Sequence, residues 1–327
     1  MQQFIVSHPY LVTPFVVIVL PLVLMAIGWG LGRLLHRVRR ALVVTACLSA
    51  ILVAVWLYGT LVGFSRLEVR RVDLAFTDLP PAFDGYKMVL FGDVHVGTYT
   101  GSREDILQRA VDSINAQQAD IVLFTGDLQN RMPSEIAPHM KLLSTIKAPD
   151  GVFSVLGNHD YPMYLGEVGI NVDDSIEKVC RLEREVGWKV LLNDNRMVRR
   201  GADSIFIAGM ENDGEGRFPA YGQVQNALWH VPTSGFVVML EHDPTSWRRK
   251  ILRECHAQLT LSGHTHGGQL RLLGLSPAAL PYKEYDGVYQ LAGRTLFVTR
   301  GLGAVIPFRL GATGEIVVIT LHKKDKQ

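Results

Sequence analysis

The chain has 327 residues, 48% of them hydrophobic, with 33 Lys and Arg against 31 Asp and Glu and a formal net charge of +2. That charge is uneven: residues 1–72 carry a net +6 and the rest −4. The mildly acidic remainder excludes the broad basic surface on which nucleic-acid binding rests, and the three cysteines (Cys47, Cys180, Cys255) are an odd set without metal-type spacing, so they read as packing residues.

In chain order, residues 11–32, "LVTPFVVIVLPLVLMAIGWGLG", and 41–64, "ALVVTACLSAILVAVWLYGTLVGF", carry no charge. Each matches the roughly 20 apolar residues that cross a bilayer core. Pro14 and Pro21 are tolerable in a span, because neighbouring helices re-satisfy the freed backbone groups. A cleaved signal peptide would need a basic start, and residues 1–10 contain no Lys or Arg. A pair of buried core helices would show a polar stripe, and neither segment has one. The sequence therefore predicts a membrane anchor over 1–72 with two transmembrane helices, followed by one large domain over 73–327. The bilayer is its first partner, and the expected location is the cell (inner) membrane, as a multi-pass protein. The link "RLLHRVRR" holds four Arg against three in "SRLEVRR" after the second span. Counting Lys and Arg alone puts the link in the cytoplasm and the large domain on the non-cytoplasmic side.

Beyond the anchor, apolar runs of strand length alternate with amphipathic stretches. "KMVLFGD" (87–93) reads as a buried strand, and 102–118 as a helix whose apolar residues Ile106, Leu107, Ala110, Val111 and Ile114 recur at helical spacing. Ser102 and Asp105 have capping-box spacing at its start. "DIVLFTGD" (120–127) is a strand, 134–147 a helix, 151–160 a strand and 173–187 a helix. Short strands follow in "WKVLLN", "MVRR" and "SIFIAGM", then at 235–244, 257–266, "TLFVTRG" and "GEIVVITL". Strands alternating with helices imply a mostly parallel central sheet, and the late strands without helices imply a second sheet packed on it.

Five of these strands end in a polar cluster: "GDVH" (92–95), "GDLQN" (126–130), "GNHD" (157–160), "EHD" (241–243) and "GHTH" (263–266). Ligands of open α/β sheets sit outside the carboxyl ends of the strands, so the clusters are expected to meet. They would gather Asp93, His95, Asp127, Asn158, His159, His242, His264 and His266. Each cluster alone has an ordinary explanation: a Gly-Asp turn, an Asx turn, or a helix start with Asp243 as N-cap before Pro244. Their recurrence in order, each at a strand end, carries the reading. His139, His230, His256 and His322 lack that setting. Bare carboxylates crowded together would have to take up protons, whereas imidazole with carboxylate suits Zn, Fe or Mn. The set exceeds the ligands of one ion, so two are expected, about 3.5–4 Å apart. In an extended segment, His264 and His266 would point the same way, about 6.6 Å apart, one toward each ion.

The ordered set resembles the calcineurin-like metallophosphoesterases. "GHTHGGQLRL", "TRGLG" (299–303) with Pro307 and Arg309, and "GEIVVITL" resemble the membrane-associated branch of that family, over about residues 85–322. The resemblance implies a four-layer αββα sandwich behind two transmembrane helices. It implies Asp93, His95, Asp127 and His266 around a first metal, and Asp127, Asn158, His242 and His264 around a second, with manganese favoured. It implies that His159 faces the substrate phosphate, that Asp160 hydrogen-bonds His159 and sets its tautomer, and that water ionised by the metal pair is the nucleophile. Asn130 stands where many relatives have Asp, which implies altered tuning and retained metal. The implied activity is hydrolysis of a phosphodiester or pyrophosphate, on a phosphorylated or lipid-linked substrate such as UDP-2,3-diacylglucosamine, as in lipid A biosynthesis. A phosphomonoesterase or phosphoprotein phosphatase with the same site, and a metal-bound scaffold without turnover, are the alternatives. Tyr161, Met163, Tyr164, Leu165, Phe218 and Tyr221 are the candidate rim residues.

Overall fold

The apolar runs that show no alternation become inner strands because both of their faces are covered. In strand β2 (Lys87–Phe91), Met88 and Leu90 point into the space between two sheets, while Val89 and Phe91 point outward under helices. The computed structural model describes residues 9–162 and 172–325.

Twelve strands form two six-stranded sheets among the described residues. The first runs in the order β1 (Leu67–Phe76), β12 (Gly314–Lys323), β2, β3 (Ile121–Phe124), β4 (Val152–Ser154) and β5 (Lys189–Val190). The second runs β10 (Gly287–Leu291), β11 (Arg294–Val298), β9 (Leu259–Ser262), β8 (Phe236–Leu240), β7 (Asp203–Gly209) and β6 (Asp194–Arg200). The pairing is parallel except at β12–β2, β10–β11 and β6–β7. Residues of both sheets, among them Leu90, Leu123, Ile207, Val238, Leu261 and Val317, share the central core. Further helices cover the outer faces, completing four layers. After the N-terminal helices α1 (Leu20–Leu34) and α2 (Val38–Tyr58), helices α3 (Glu104–Ala116) and α4 (Val172–Glu185) lie on the first sheet, where Leu107, Val111, Ile114 and Val179 meet Phe91 and Phe124. On the second sheet, Trp247 and Ile251 pack on Val237 and Met239.

Four details differ from the sequence reading. Strand β1 begins at Leu67, ahead of the domain boundary expected at residue 73, and is parallel to β12 with Leu67 opposite Gly314. The capping box of Ser102 and Asp105 does not form; instead the Gly101 amide donates to Glu104 Oε1 at 3.2 Å, one residue out of that register. The helix expected over 134–147 is two 3₁₀ turns and one short helix, Met140–Leu143. Pro138 lies inside it and cannot donate to a helical ladder. Strand β10 was not anticipated.

At the N-terminus, a short α-helix Pro9–Pro14 and a π turn Phe15–Val19 lead into α1 (Leu20–Leu34), and α2 (Val38–Tyr58) returns against it before a π turn Gly59–Gly63. Spans Leu11–Leu34 and Val38–Gly63 are long and apolar enough to cross a membrane. Leu22, Leu34, Ile51 and Leu61 stand exposed along them, as lipid-facing residues do. The hairpin is tied to the domain at its end. Trp56 stacks on Phe308 at 4.8 Å, and the Arg309 amide donates to the Gly59 carbonyl at 3.0 Å. A Cβ on Gly63 would lie 1.8 Å from the Arg309 carbonyl oxygen, so any larger residue there would push the helix end off the domain.

Candidate metal centre

All five polar clusters lie at strand ends on one edge of the sandwich: β2, β3 and β4 from the first sheet, β8 and β9 from the second. Several of their residues adopt left-handed backbone: Asp93 (φ 50°), His95 (50°), Asp127 (60°), His264 (72°) and His266 (52°). Non-glycine residues visit this region at a cost, and clusters of them mark sites whose geometry the surroundings impose. The expectation that His264 and His266 share an extended segment is thereby corrected. The tight turn splits them: His266 joins one group and His264 another.

In the first group, ligand atoms of Asp93, His95, Asp127 and His266 lie within 4.8 Å of one another, and all four residues are buried. His95 Nε2 is 3.2 Å from His266 Nε2, and His266 Nε2 is 3.6 Å from Asp93 Oδ1. In the second group, Asn158 Oδ1 is 2.6 Å from His264 Nδ1 and 3.1 Å from His242 Nε2. Asp127 joins the two, with Oδ2 3.5 Å from His95 Nε2 and 3.3 Å from His242 Nε2.

The donor set fits divalent cations on the chemistry of its atoms. Asp93 is fully buried, and its Oδ2 has no hydrogen-bond partner among the described residues. An unpaired buried carboxylate oxygen is costly, and a cation beside it removes the cost. The imidazoles of the second group are also oriented for it. The His242 Nδ1–H donates to the Thr125 carbonyl at 2.7 Å, and His264 Nε2 meets the Tyr282 hydroxyl at 2.8 Å. Each contact fixes the remote ring nitrogen and turns the other inward, as second-shell partners of metal ligands do.

The electrostatics of the centre follow from burial and from its own charges. Burial pushes the Asp93 carboxyl up to about 7, against the pull of His242. Burial also drives His95 down to about 3, with His159 adding to the effect. For His242, burial lowers the pKa, but the Asp127 carboxylate outweighs it and the imidazole rises to about 10. Burial raises Asp127, but His242 and His159 together hold it well below the ordinary carboxylate range. His242 and Asp127 thus form the charged pair at the heart of the centre.

His159 is buried to 5% exposure beside this centre, its ring edge-on to His95 at 4.6 Å. Its Nδ1 lies 2.7 Å from the Asn130 carbonyl oxygen. Asp160 does not set the His159 tautomer, contrary to the expectation. Its carboxylate accepts from the amides of Asp127 (2.8 Å), Leu128 (3.0 Å), Gln129 (3.2 Å) and Gly157 (2.9 Å), and so clamps two strand-end loops together. The loops can close because residue 157 is glycine: a Cβ there would lie 2.2 Å from Asp127 Oδ1. The Asn130 contact runs through the backbone, which any residue supplies.

A cleft of about 330 Å³ opens on the centre, lined by Asp127, Asn158, His159, His264, His266 and Phe218 among others. Phe218 sits edge-on to His264 at 4.9 Å, and Tyr161 stacks on Tyr221 at 5.4 Å. Met163, Tyr164 and Leu165 lie outside the described residues. Sequence reasoning did not tie a sixth strand end to the site. After β11, the Gly303 amide donates to the Asp93 carbonyl at 2.8 Å, and Arg309 donates to the carbonyls of Arg300, Gly301, Gly303 and Ala312. The "TRGLG" string was a visible signal for this loop; Tyr282 left none.

A two-sheet sandwich carrying buried Asp and His at the ends of its parallel strands is the scaffold of a metal-dependent phosphoester hydrolase. A family model described as calcineurin-like phosphoesterase matches residues 86–268, and the chain belongs to that family. Related sequences agree. A transmembrane protein with metallophosphoesterase domain from Danio rerio is 31% identical over 90% of this chain and 68% of its own length. The uncharacterized metallophosphoesterase YkuE of Bacillus subtilis is 33% identical over 79% of this chain and 87% of its own. A metallophosphoesterase of Aquifex aeolicus is 28% identical over 80% and 93%.

Proposed function

We propose that the protein is a membrane-anchored phosphodiesterase or pyrophosphatase that uses two divalent cations and acts on a lipid-linked phosphate. The observation that carries this is the position of Asp127 Oδ2 between His95 Nε2 and His242 Nε2, where one carboxylate serves two ligand groups. Asp93, His95 and His266 complete the first group, and Asn158, His242 and His264 the second. When bound, such a pair lowers the pKa of water toward 7 and neutralises charge on phosphoryl oxygens.

The chain's own residues supply the rest. The Asn158 amide and the His159 imidazole line the cleft where a phosphate enters. Burial lowers the pKa of His159, against the pull of the Asp127 carboxylate. An incoming phosphate anion favours its protonated form, so the imidazolium forms when substrate is present. With Nδ1–H committed to the Asn130 carbonyl, the proton for the leaving oxygen comes from Nε2. Asp160 positions Asp127 and His159 through the backbone and does not itself touch the reacting atoms.

The two helices hold this cleft beside a bilayer, where lipid phosphates are concentrated, in a multi-pass arrangement. The Arg count favours the non-cytoplasmic side for the domain, and UDP-2,3-diacylglucosamine is a substrate only if the domain faces the cytoplasm. Protease access on sealed vesicles decides between these. For the reaction, the purified chain is assayed with Mn, Zn or Fe on bis-p-nitrophenyl phosphate, p-nitrophenyl phosphate and lipid pyrophosphates, beside Asp127→Ala. Preferred hydrolysis of diester or pyrophosphate, abolished by Asp127→Ala, is the expected result. Preferred hydrolysis of the monoester assigns a phosphomonoesterase, and no turnover with two metals bound assigns a scaffold.

A further inference from the structure

We propose that residues 272–280 form a third membrane contact, seated in the same bilayer surface from which the second helix emerges, so that the metal cleft opens at the level of the lipid headgroups. This rests on the reading of the two N-terminal helices as membrane spans.

The loop is built to present leucine. Leu272 and Leu275 exchange two backbone hydrogen bonds, both 2.9 Å. Between them, Leu273 (φ 51°) and Gly274 (φ 83°) both take positive φ, the geometry of a tight turn that Asn-Gly ordinarily fills. Leucine at its first central position is strained, and it is also 94% exposed. Leu275 is 78% and Leu280 90% exposed. Elsewhere in the described domain beyond the helices, no large hydrophobic residue is more exposed than Trp229, at 68%. An apolar patch of this kind marks a contact surface.

Its place in the fold names the occupant. Hydrogen bonds run from the Arg271 amide to the Leu310 carbonyl (2.7 Å) and from the Leu310 amide to the Gln269 carbonyl (2.9 Å). The preceding residue, Arg309, is bonded to Gly59 at the end of the second span. Leu272 shares a cavity with Tyr58, Gly63 and Arg66. Arg66 lies over the Tyr58 ring at 5.8 Å, an aromatic and basic pair of the kind found at membrane–water interfaces. The leucine surface is thus continuous with the apolar hairpin, and lipid is the medium that covers both.

The same loop walls the cleft. Pro277 and Ala278 line it, with Gln269 and Tyr282 flanking the loop on either side, and Tyr282 holds His264. A loop with its leucines in lipid and its other side on the metal centre gives a lipid-borne phosphate a short path into the site.

The test uses the full chain in phosphatidylcholine vesicles, in a background of Cys47→Ala, Cys180→Ala and Cys255→Ala that retains wild-type hydrolysis of bis-p-nitrophenyl phosphate. Leu273→Cys, Leu280→Cys and, as control on the far edge strand β6, Met197→Cys are each labelled with a polarity-sensitive fluorophore. Lipids carrying a doxyl quencher should reduce emission at least twofold at 273 and 280 and leave 197 unchanged. Equal quenching at all three positions overturns the proposal. So does a blue shift at 273 without quenching, which would mean contact with a second protein surface. In parallel, Leu273→Glu with Leu280→Glu should keep soluble diester hydrolysis and lose at least tenfold in kcat/KM on vesicle-borne lipid pyrophosphate. Alkaline extraction reads the anchor separately. A chain released from the vesicles overturns the membrane-span reading, and the loop proposal with it. A chain that stays while its labels go unquenched overturns the loop proposal alone.

Discussion

Replacing Arg309 with Met removes the buried cation that knits the loop after β11. Arg309 is 1% exposed, and its guanidinium donates to the carbonyls of Ala312 at 2.8 Å, Arg300 at 2.7 Å, Gly301 at 3.1 Å and Gly303 at 2.5 Å. Met fills much the same volume and donates nothing. A buried acceptor left unsatisfied costs about 1–3 kcal/mol, and the loop recovers part of that by relaxing. With four carbonyls affected and partial relaxation, the net loss falls at about 4 kcal/mol. For a domain of this size, 1 kcal/mol moves the melting temperature by about 2–4 °C, so Arg309→Met should melt about 8–16 °C below the wild type. Circular dichroism of the detergent-solubilised, chelator-treated chain measures this without a contribution from bound metal. Arg309→Lys, which keeps the charge and some of the donors, should fall between. The loop also carries the Gly303–Asp93 hydrogen bond, so metal affinity should drop as well. A melting temperature within about 2 °C of the wild type would refute the role given to Arg309.

His159→Ala should lower kcat about 10²–10⁴-fold, the usual contribution of a positioned acid, and leave metal content unchanged; a parallel loss of metal would make His159 a ligand. Metal affinity should rise with pH, because cation binding must displace a proton from the His242 imidazole, raised to about 10, and below neutrality also from Asp93, raised to about 7. Below about pH 7 the affinity should therefore fall about tenfold per pH unit for each proton displaced. Calorimetric titrations at pH 7 in buffers of different ionisation heat should report net proton release, and heats independent of buffer would contradict the assignment.

The sequence showed the strands best where burial on both faces makes them uniformly apolar, as in β2, β3 and β8. It hid β1, whose Glu68, Arg70, Arg71 and Asp73 interrupt the apolar pattern and whose partner β12 lies at the other end of the chain. It misled over 134–147, where Pro138 interrupts the expected helix. The site residues were legible because strand ends collect polar side chains, but their geometry was not. Nothing in "GHTH" declares that His264 and His266 take left-handed backbone and diverge. The role of Asp160 was likewise closed to sequence. Its four partners are backbone amides from two loops, and amides have no letter. Arg309 and the leucines of 272–280 became interpretable only once the end of the second helix was placed beside them.

The central claim is one carboxylate shared by two cation sites, and counting metal per chain tests it most directly. Wild-type protein loaded with excess Mn or Zn and desalted should carry two ions by elemental analysis, His242→Ala one, and Asp127→Ala none. A wild type holding a single ion, or Asp127→Ala retaining two, would contradict the account.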